Sequence, residues 1–374
     1  MKNILIAIRS IFKKGRHNVM KIVSLGIGLA VGLVLIAKVY FEQSYDDFYP
    51  DRDRVYQVWA KYQQNGGELK DYPQTSGGIA PTMQQQIPEI ETVTRYTSFG
   101  DWTFTMTDTK MKYSGRCIIA DSCFFDILPR PMLIGNAKEV LSIPMYVLVS
   151  SRIAKNIGGD VIGKNFTVDS SPGRTMTIGG VFEEVPENSH SRYDVIVSMA
   201  SAGRFMWEGS PTNMLGNDRY ISYVKLHKGV NPLALEEQVH TFVNSYFPPE
   251  EQQKTGFNIG FSFHELDGLH KELPQVKRMT WILSLLAFAL IFTAVMNYIL
   301  IVISSIVNRS KEVAVHKCYG ASENNIHGMM FGEALVHIVL SLILALLLIL
   351  AFRGTVEELL ATSLDSLLLS NGSL

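Results

Sequence analysis

Two long apolar runs separated by a short charged segment constrain this chain more than any other feature. The first extends from about Thr280 to Val307 and the second from about Met329 to Phe352. Between them lies Arg309-Ser-Lys-Glu-Val-Ala-Val-His-Lys-Cys-Tyr-Gly-Ala-Ser322. A bilayer-crossing helix needs roughly 20 apolar residues, and each run exceeds that. In the connecting segment Arg309, Lys311 and Lys317 outnumber the single acid Glu312, and an excess of Lys and Arg in a short loop marks the cytoplasmic side. The expectation is a helical hairpin, with spans over 279–307 and 328–352 and its tip, 308–327, inside the cell.

A third apolar run covers 19–41. Before it, Ile4, Leu5, Ile8, Ile11 and Phe12 follow helical spacing while Lys2, Arg9, Lys13, Lys14 and Arg16 take the other positions. That pattern predicts an amphipathic cytoplasmic helix over 1–18, its basic face against anionic membrane lipid. Lys21 and Lys38 fall near the ends of the span, where long side chains snorkel to the interface. A cleaved signal peptide is the alternative, but the apolar core exceeds the usual ~7–15 residues and no small-residue cleavage site follows. With the basic start inside, the first helix leaves the cell and residues 42–275 lie outside. The second span then re-enters and delivers Arg309–Ser322 to the cytoplasm. The two orientation readings use different residues and agree.

Composition sets the remaining bounds. The mean hydropathy of +0.13 over 374 residues averages apolar ends with a long polar middle. A net charge of −1 gives no global basic field for nucleic acid. Three cysteines supply neither a disulfide framework nor a metal quartet. Cys117 and Cys123 fall outside the cell, where nothing in the sequence requires them to pair; Cys318, on the tip, is expected reduced.

The outer region reads as one α+β domain, expected in two lobes. Strands are predicted at Arg54–Gln63, Glu68–Tyr72, Glu91–Phe99, Trp102–Thr107, Tyr146–Ser150, Phe166–Val168, Thr175–Phe182, Tyr193–Ser198 and Tyr220–Leu226. Helices are predicted at Pro81–Gln86, Ser151–Ile157 and Leu233–Tyr246. The fold class is therefore a membrane protein of three visible helical spans, with a large α+β domain between the first and second.

No local constellation supplies enzyme chemistry. Gly158-Gly-Asp-Val-Ile-Gly163-Lys164 matches a phosphate-binding loop until Asn165, where the hydroxyl residue that holds magnesium belongs; glycine turns between a helix and a strand suffice to explain it. His264-Glu265 begins like a zinc-protease helix, but Gly268 stands where the second His is required. Asn297 lies mid-span, and Glu333 and His337 lie one turn apart in the last span. Intramembrane polar groups are expensive and face other helices or a cavity; helix contact is the simpler reading and a proton relay the other. Gly26, Gly28 and Gly32 let the first span approach a neighbour closely.

The segment Arg309, Lys311-Glu312, Lys317, Gly320-Ala321-Ser322 resembles the cytoplasmic segment of FtsX-like ABC-transporter permeases of the MacB type. So does Glu42–Tyr56, just after the first span. A third match is the series Val149–Lys155, Gly158, Ile162-Gly163-Lys164, Thr177–Glu183 and Pro186-Glu-Asn-Ser-His190. Together these touch nearly the whole chain. The resemblance implies a bacterial inner-membrane permease with a periplasmic domain and no active site of its own. A separate ATPase would bind ATP and magnesium, and no cofactor would sit in this chain. A second permease unit would pair with the first, and a periplasmic adaptor or outer-membrane channel is a further partner it allows. It also makes 308–327 the segment on which the ATPase bears; composition alone reads that segment as a solvated positive-inside loop. Antibiotics, peptides and lipoproteins remain open as substrates. The alternatives are a regulator of a cell-wall hydrolase and a sensor working with a kinase. Members of this family have a fourth span. Here residues 353–374 are broken by Glu357, Glu358 and Asp365 and read as an extracytoplasmic tail, so the expectation is a chain that stops before that span or lacks it.

Overall fold

The structure, a computed structural model, describes residues 18–319 and 323–369. Nearly all of the amphipathic stretch predicted over 1–18, and Gly320, Ala321 and Ser322 of the hairpin tip, lie outside the described residues. The chain divides into two units, Tyr45–Lys271 and the remainder, Met1–Ser44 with Glu272–Leu374.

The first helix, α1 (Asn18–Gln43), leads into the outer unit. That unit is built on a mixed 11-stranded sheet. Its strands are β1 (Val55–Gln64), β2 (Lys70–Tyr72), β3 (Ile90–Met106), β4 (Lys112–Ala120), β5 (Met132–Ile134), β6 (Tyr146–Ser150), β7 (Asn165–Val168), β8 (Ser171–Phe182), β9 (Val195–Ser198), β10 (Ile221–Leu226) and β11 (Phe257–Glu265). The main path runs β11-β1-β10-β3-β4-β9-β6-β8-β5, with β2 beside β1 and β7 beside β3 and β8. Most neighbours are antiparallel, but β4 with β9 and β6 with β8 are parallel. Around the sheet lie α2 (Ile79–Gln86), α3 (Ala137–Ser142), α4 (Ser151–Ile157), α5 (Glu236–Tyr246) and α6 (Pro249–Thr255).

Local chemistry starts and stops these helices. Ser150 caps α4 by accepting from the Ile153 N–H, and Asn136 caps α3 by accepting from Lys138 and Glu139. Gly158 ends α4 at φ 75, a conformation that suits glycine. This is the stretch that matched a phosphate-binding loop: a helix precedes its glycines, and Asn165 opens β7.

Apolar side chains gather in three clusters. Phe124, Leu148, Phe182 and Ile196 belong to one, and Phe104, Val147, Phe166 and Ile178 to a second. Consecutive residues Val147 and Leu148 fall in different clusters because a strand points alternate side chains to opposite faces. The third joins Val58 and Val224 to Met83 of α2 and Phe242 of α5. The two lobes expected from sequence share one continuous sheet.

Three helices among the described residues are long and apolar enough to cross a membrane. They are α1, α7 (Pro274–Cys318) and α8 (Glu323–Ala351). The predicted boundary between a span ending at 307 and a separate cytoplasmic segment does not appear in the backbone: α7 is one helix of 45 residues. No proline or glycine interrupts its sequence after Pro274, so nothing breaks the ladder. The tail forms α9 (Arg353–Leu360) and α10 (Leu364–Leu369), held by Arg353 to Glu357 and Asp365, both at 2.9 Å.

Candidate functional site

The membrane unit packs through the small residues of α1. A Cβ on Gly28 would stand 2.2 Å from the Cβ of Ala294, and one on Gly32 would stand 2.4 Å from Cγ1 of Ile291. Gly26 meets Leu344 of α8 in the same way. Each lets two backbones approach as a larger residue would not.

Polar residues of these spans fall into two settings. Asn297 is exposed on α7, whereas Glu333 and His337 are buried on α8. Nδ1 of His337 lies 3.4 Å from the Tyr298 hydroxyl, the rings meeting edge to face. Lys21 and Lys38, expected to snorkel outward, are instead buried at 2% and 8% exposure. The physical reason at Lys38 is local: Glu42, one turn on, pairs with it at 2.8 Å, and the Thr362 hydroxyl accepts from it at 2.8 Å. Lys21 donates to Asn18 at 3.4 Å.

Arg309, Lys311, Glu312 and Lys317 all lie on the helical backbone of α7, past the apolar run that ends near Val307. At a rise of ~1.5 Å per residue the helix continues roughly 16 Å beyond that point. Val315 and Tyr319 near its end are 54% and 88% exposed.

In the outer unit, two stretches read separately in the sequence meet. Asp46, four residues before Pro50, is fully buried, at φ 61. Its backbone N–H donates to the Asn188 carbonyl at 2.9 Å. Its carboxylate accepts from Nδ1 of His190 at 2.8 Å and from the Ser189 hydroxyl and His190 N–H, both at 3.2 Å. Nε2 of His190 then faces the Tyr223 hydroxyl at 2.5 Å. With Nδ1–H committed to a carboxylate, a neutral imidazole has Nε2 left as an acceptor, so the phenol donates to it. Burial pushes Tyr223 well above its ordinary value, which keeps that O–H in place. Nearby, Ser191 donates to Tyr96 at 2.7 Å. The segment following α1 is thus bolted to β10 and, through the Pro186–His190 bend, to the centre of the sheet.

The same segment is tied to the residues that lead toward α7. Tyr45 stacks on His270 at 3.4 Å, Lys271 reaches Asp47 at 2.7 Å and Asp267 at 2.9 Å, and Arg52 reaches Asp267 at 3.0 Å. The two passages of chain that connect to the spans are therefore cross-linked within the outer unit. Sequence reasoning found the flanking motifs but not this junction, whose partners are more than 140 residues apart at Asp46–His190 and more than 220 apart at Asp47–Lys271. Proximity in space leaves no local signal.

The other candidates do not converge. His264 is on β11, stacked on Trp59 at 4.2 Å, with burial holding its imidazole below the ordinary value. Among the described residues no group of three His, Cys, Asp or Glu is placed to hold a metal ion. Cys117 and Cys123 are both free; Cys117 is buried in the core, and Cys123 turns its thiol to the Val93 carbonyl at 3.2 Å.

Comparison with known proteins agrees with this architecture. The MacB-like periplasmic core domain model matches residues 20–242, and the FtsX-like permease C-terminal model matches 284–371. A solved domain of a putative permease protein from Porphyromonas gingivalis is similar at 32% identity and a TM-score of 0.53, covering 58% of this chain and 91% of that one. The periplasmic region of MacB from Actinobacillus actinomycetemcomitans aligns at 15% identity with a TM-score of 0.38, covering 55% and 87%. The extracellular domain of the noncanonic ABC-type transporter YknZ from Gram-positive bacteria aligns at 10% and 0.39, covering 55% and 98%. No curated protein matches the chain significantly. With a core-domain match over more than half its length and a permease match over its later spans, this chain belongs to the MacB/FtsX-like family of ABC-type permeases.

Proposed function

We propose that this chain is the permease subunit through which a separate ABC ATPase does mechanical work on a periplasmic domain. ATP and magnesium would bind the ATPase, and two permease units would act together. The N-terminus would be cytoplasmic, as the basic residues flanking the first span and the hairpin tip favour. One observation carries the reading: α7 is unbroken from Pro274 to Cys318, so a push at Arg309–Lys317 reaches the outer end of the span without a hinge. The load then meets Lys271 and the cross-linked junction around Asp46. Export or extraction of an antibiotic, a peptide or a lipoprotein is the work such a lever suits.

The test is purification of the full chain from its native membrane, beside Glu312→Lys. An ABC ATPase should accompany the unmodified protein and hydrolyse ATP faster with it than alone. Charge reversal at a contact costs several kcal/mol when like charges meet, so the variant should lose both while inserting normally. An unchanged ATPase association in Glu312→Lys would reduce the segment to a solvated loop.

A further inference from the structure

We propose that the cavity between β1, β11 and the end of α5 binds a lipophilic ammonium, with the Asp218 carboxylate as counter-charge and aromatic rings as walls. The cavity measures about 350 Å3 and is lined by Tyr62, Leu215, Asp218, Phe247, Phe257 and Ile259, with Gly216 and Thr255. Its size sits at the low end of small-molecule sites, which run from about 300 Å3 upward and pair apolar walls with a few placed polar groups.

Register builds the walls. Tyr62 of β1 lies opposite Ile259 of β11, and Gln64 opposite Phe257. Alternate residues of a strand share a face, so Phe257 and Ile259 stand side by side with Tyr62 across from them. The Tyr62 ring stacks on Phe257 at 5.3 Å and leans on Tyr72 at 5.6 Å. Such faces carry negative potential and attract cations.

The carboxylate is the decisive group. One oxygen of Asp218 accepts from the Tyr62 hydroxyl at 2.5 Å and the other from Ser76 at 2.5 Å. Burial and this same carboxylate push the Tyr62 phenol up, so its O–H remains a donor. The Tyr246 hydroxyl, also close enough to feel Asp218, is buried without a hydrogen-bond partner among the described residues. No Lys, Arg or His among the described residues forms an ion pair with Asp218, whereas Asp47, Asp51, Asp121, Asp194 and Asp267 all do. Asp218 is half-buried and its two oxygens are met by hydroxyl donors, not by a cation, so a ligand cation adds the charge pairing that these donors do not supply. An anion is repelled there, and a neutral apolar guest leaves the charge unpaired. The inference stands whether or not the permease moves the ligand it binds.

The test uses the full chain in nanodiscs, with empty nanodiscs as the blank for partition into lipid. Three probes share one body: 4-phenylbutylammonium, 4-phenylbutanol and 4-phenylbutyrate. Calorimetric titration should show saturable binding of the ammonium and at least about tenfold weaker binding of the carboxylate probe. Asp218→Asn should weaken the ammonium about tenfold, or about 1.4 kcal/mol, and leave the alcohol unchanged. Phe257→Leu, which keeps the wall apolar but removes a ring face, should lower the ammonium-to-alcohol preference about threefold. Equal binding of ammonium and butyrate, or an unchanged preference in Asp218→Asn, overturns the proposal. If Asp218→Asn lacks a cooperative thermal transition, an unchanged preference in Phe257→Leu overturns it alone. N-acetyl-lysine amide competing as strongly as the phenyl probe would assign the site to a lysine side chain and overturn the lipophilic class.

Discussion

Replacing Asp46 should separate a junction that bears on stability from one that merely fills space. Its carboxylate is fully buried and accepts three hydrogen bonds, two from His190 and one from Ser189. Removing the carboxylate leaves the two His190 donors buried without an acceptor, at about 1–3 kcal/mol each. Asp46 also sits at φ 61, which Asp and Asn tolerate and Ala does not, adding about 1 kcal/mol to Asp46→Ala. A domain of this size loses about 2–4 °C in Tm per kcal/mol; Asp46→Ala should therefore lower the outer domain's transition by about 10–20 °C. Asp46→Asn keeps the backbone conformation. His190 can answer it by moving its proton to Nε2, so that Nδ1 accepts from the new amide and Nε2–H donates to Tyr223. Only charge assistance is then lost, about 1 kcal/mol and about 2–4 °C. Trp59, Trp102 and Trp207 lie in the outer unit and Trp281 in the membrane unit, so tryptophan emission from the purified full chain mainly follows the outer domain. Two results would refute the reasoning: Asp46→Ala within 2–3 °C of the unmodified protein, or Asn as damaging as Ala.

Topology is testable by impermeant thiol reagents on spheroplasts. Because Cys117 is buried, the outer reporter should be Trp207→Cys, at a position 63% exposed, with Cys318 as the inner one; labelling of Cys318 with protection of the outer thiol would invert the orientation. Gly28→Val should loosen the contact of α1 with α7, where even a Cβ would sit 2.2 Å from Ala294, and should shorten the half-life of the folded protein in detergent; an unchanged half-life would show that the helices part freely. Lys225 and then Arg54 hold the Asp51 carboxyl below its ordinary 3.8. A depressed folded value stabilises above the unfolded one and fades as pH falls through it, so Asp51→Asn, which keeps the φ 53 backbone that Ala would strain, should differ from the parent at pH 7 by under about 1 kcal/mol, and the difference should vanish well below pH 4. A difference that grows on acidification would contradict the sign.

Periodicity made much of this architecture readable. The spans, the Ser150-capped helix, β1 and β6 each carry their signal within a few neighbouring residues. β4 does not. Its outer half, Lys112–Arg116, alternates in burial, but one inward position is Gly115, which carries no apolar signal; its inner half, Cys117–Ala120, is buried on both faces between β3 and β9 and does not alternate. β11 does alternate, with Phe257, Ile259, Phe261 and Phe263 on one face, yet a helical reading of His264-Glu265 competes with it when nothing fixes the partner strand. The junction at Asp46 and the cavity at Asp218 were unreadable for a stricter reason. Both depend on which strand lies beside which, and β1 takes β10 and β11, both from the far end of the outer unit, as neighbours.

The junction's two sides are not equally strong, and that bears on how work would enter the domain. On the side that follows α1, Asp46 is buried against His190, so its bonds are shielded from water and salt. On the side that leads to α7, Lys271 and Arg52 hold Asp47 and Asp267, whose side chains are about one-third exposed. Exposed pairs of this kind contribute about 0–1 kcal/mol each and weaken with salt. Under the proposed reading, a displacement carried along α7 would meet the softer anchor first. The exchangeable pairs around Lys271 can break and re-form while Asp46 keeps the other passage fixed to β10. Under the proposed reading, the domain would pivot about the Asp46 side and yield at the Lys271 side, where the ion pairs are weak enough to exchange during a cycle.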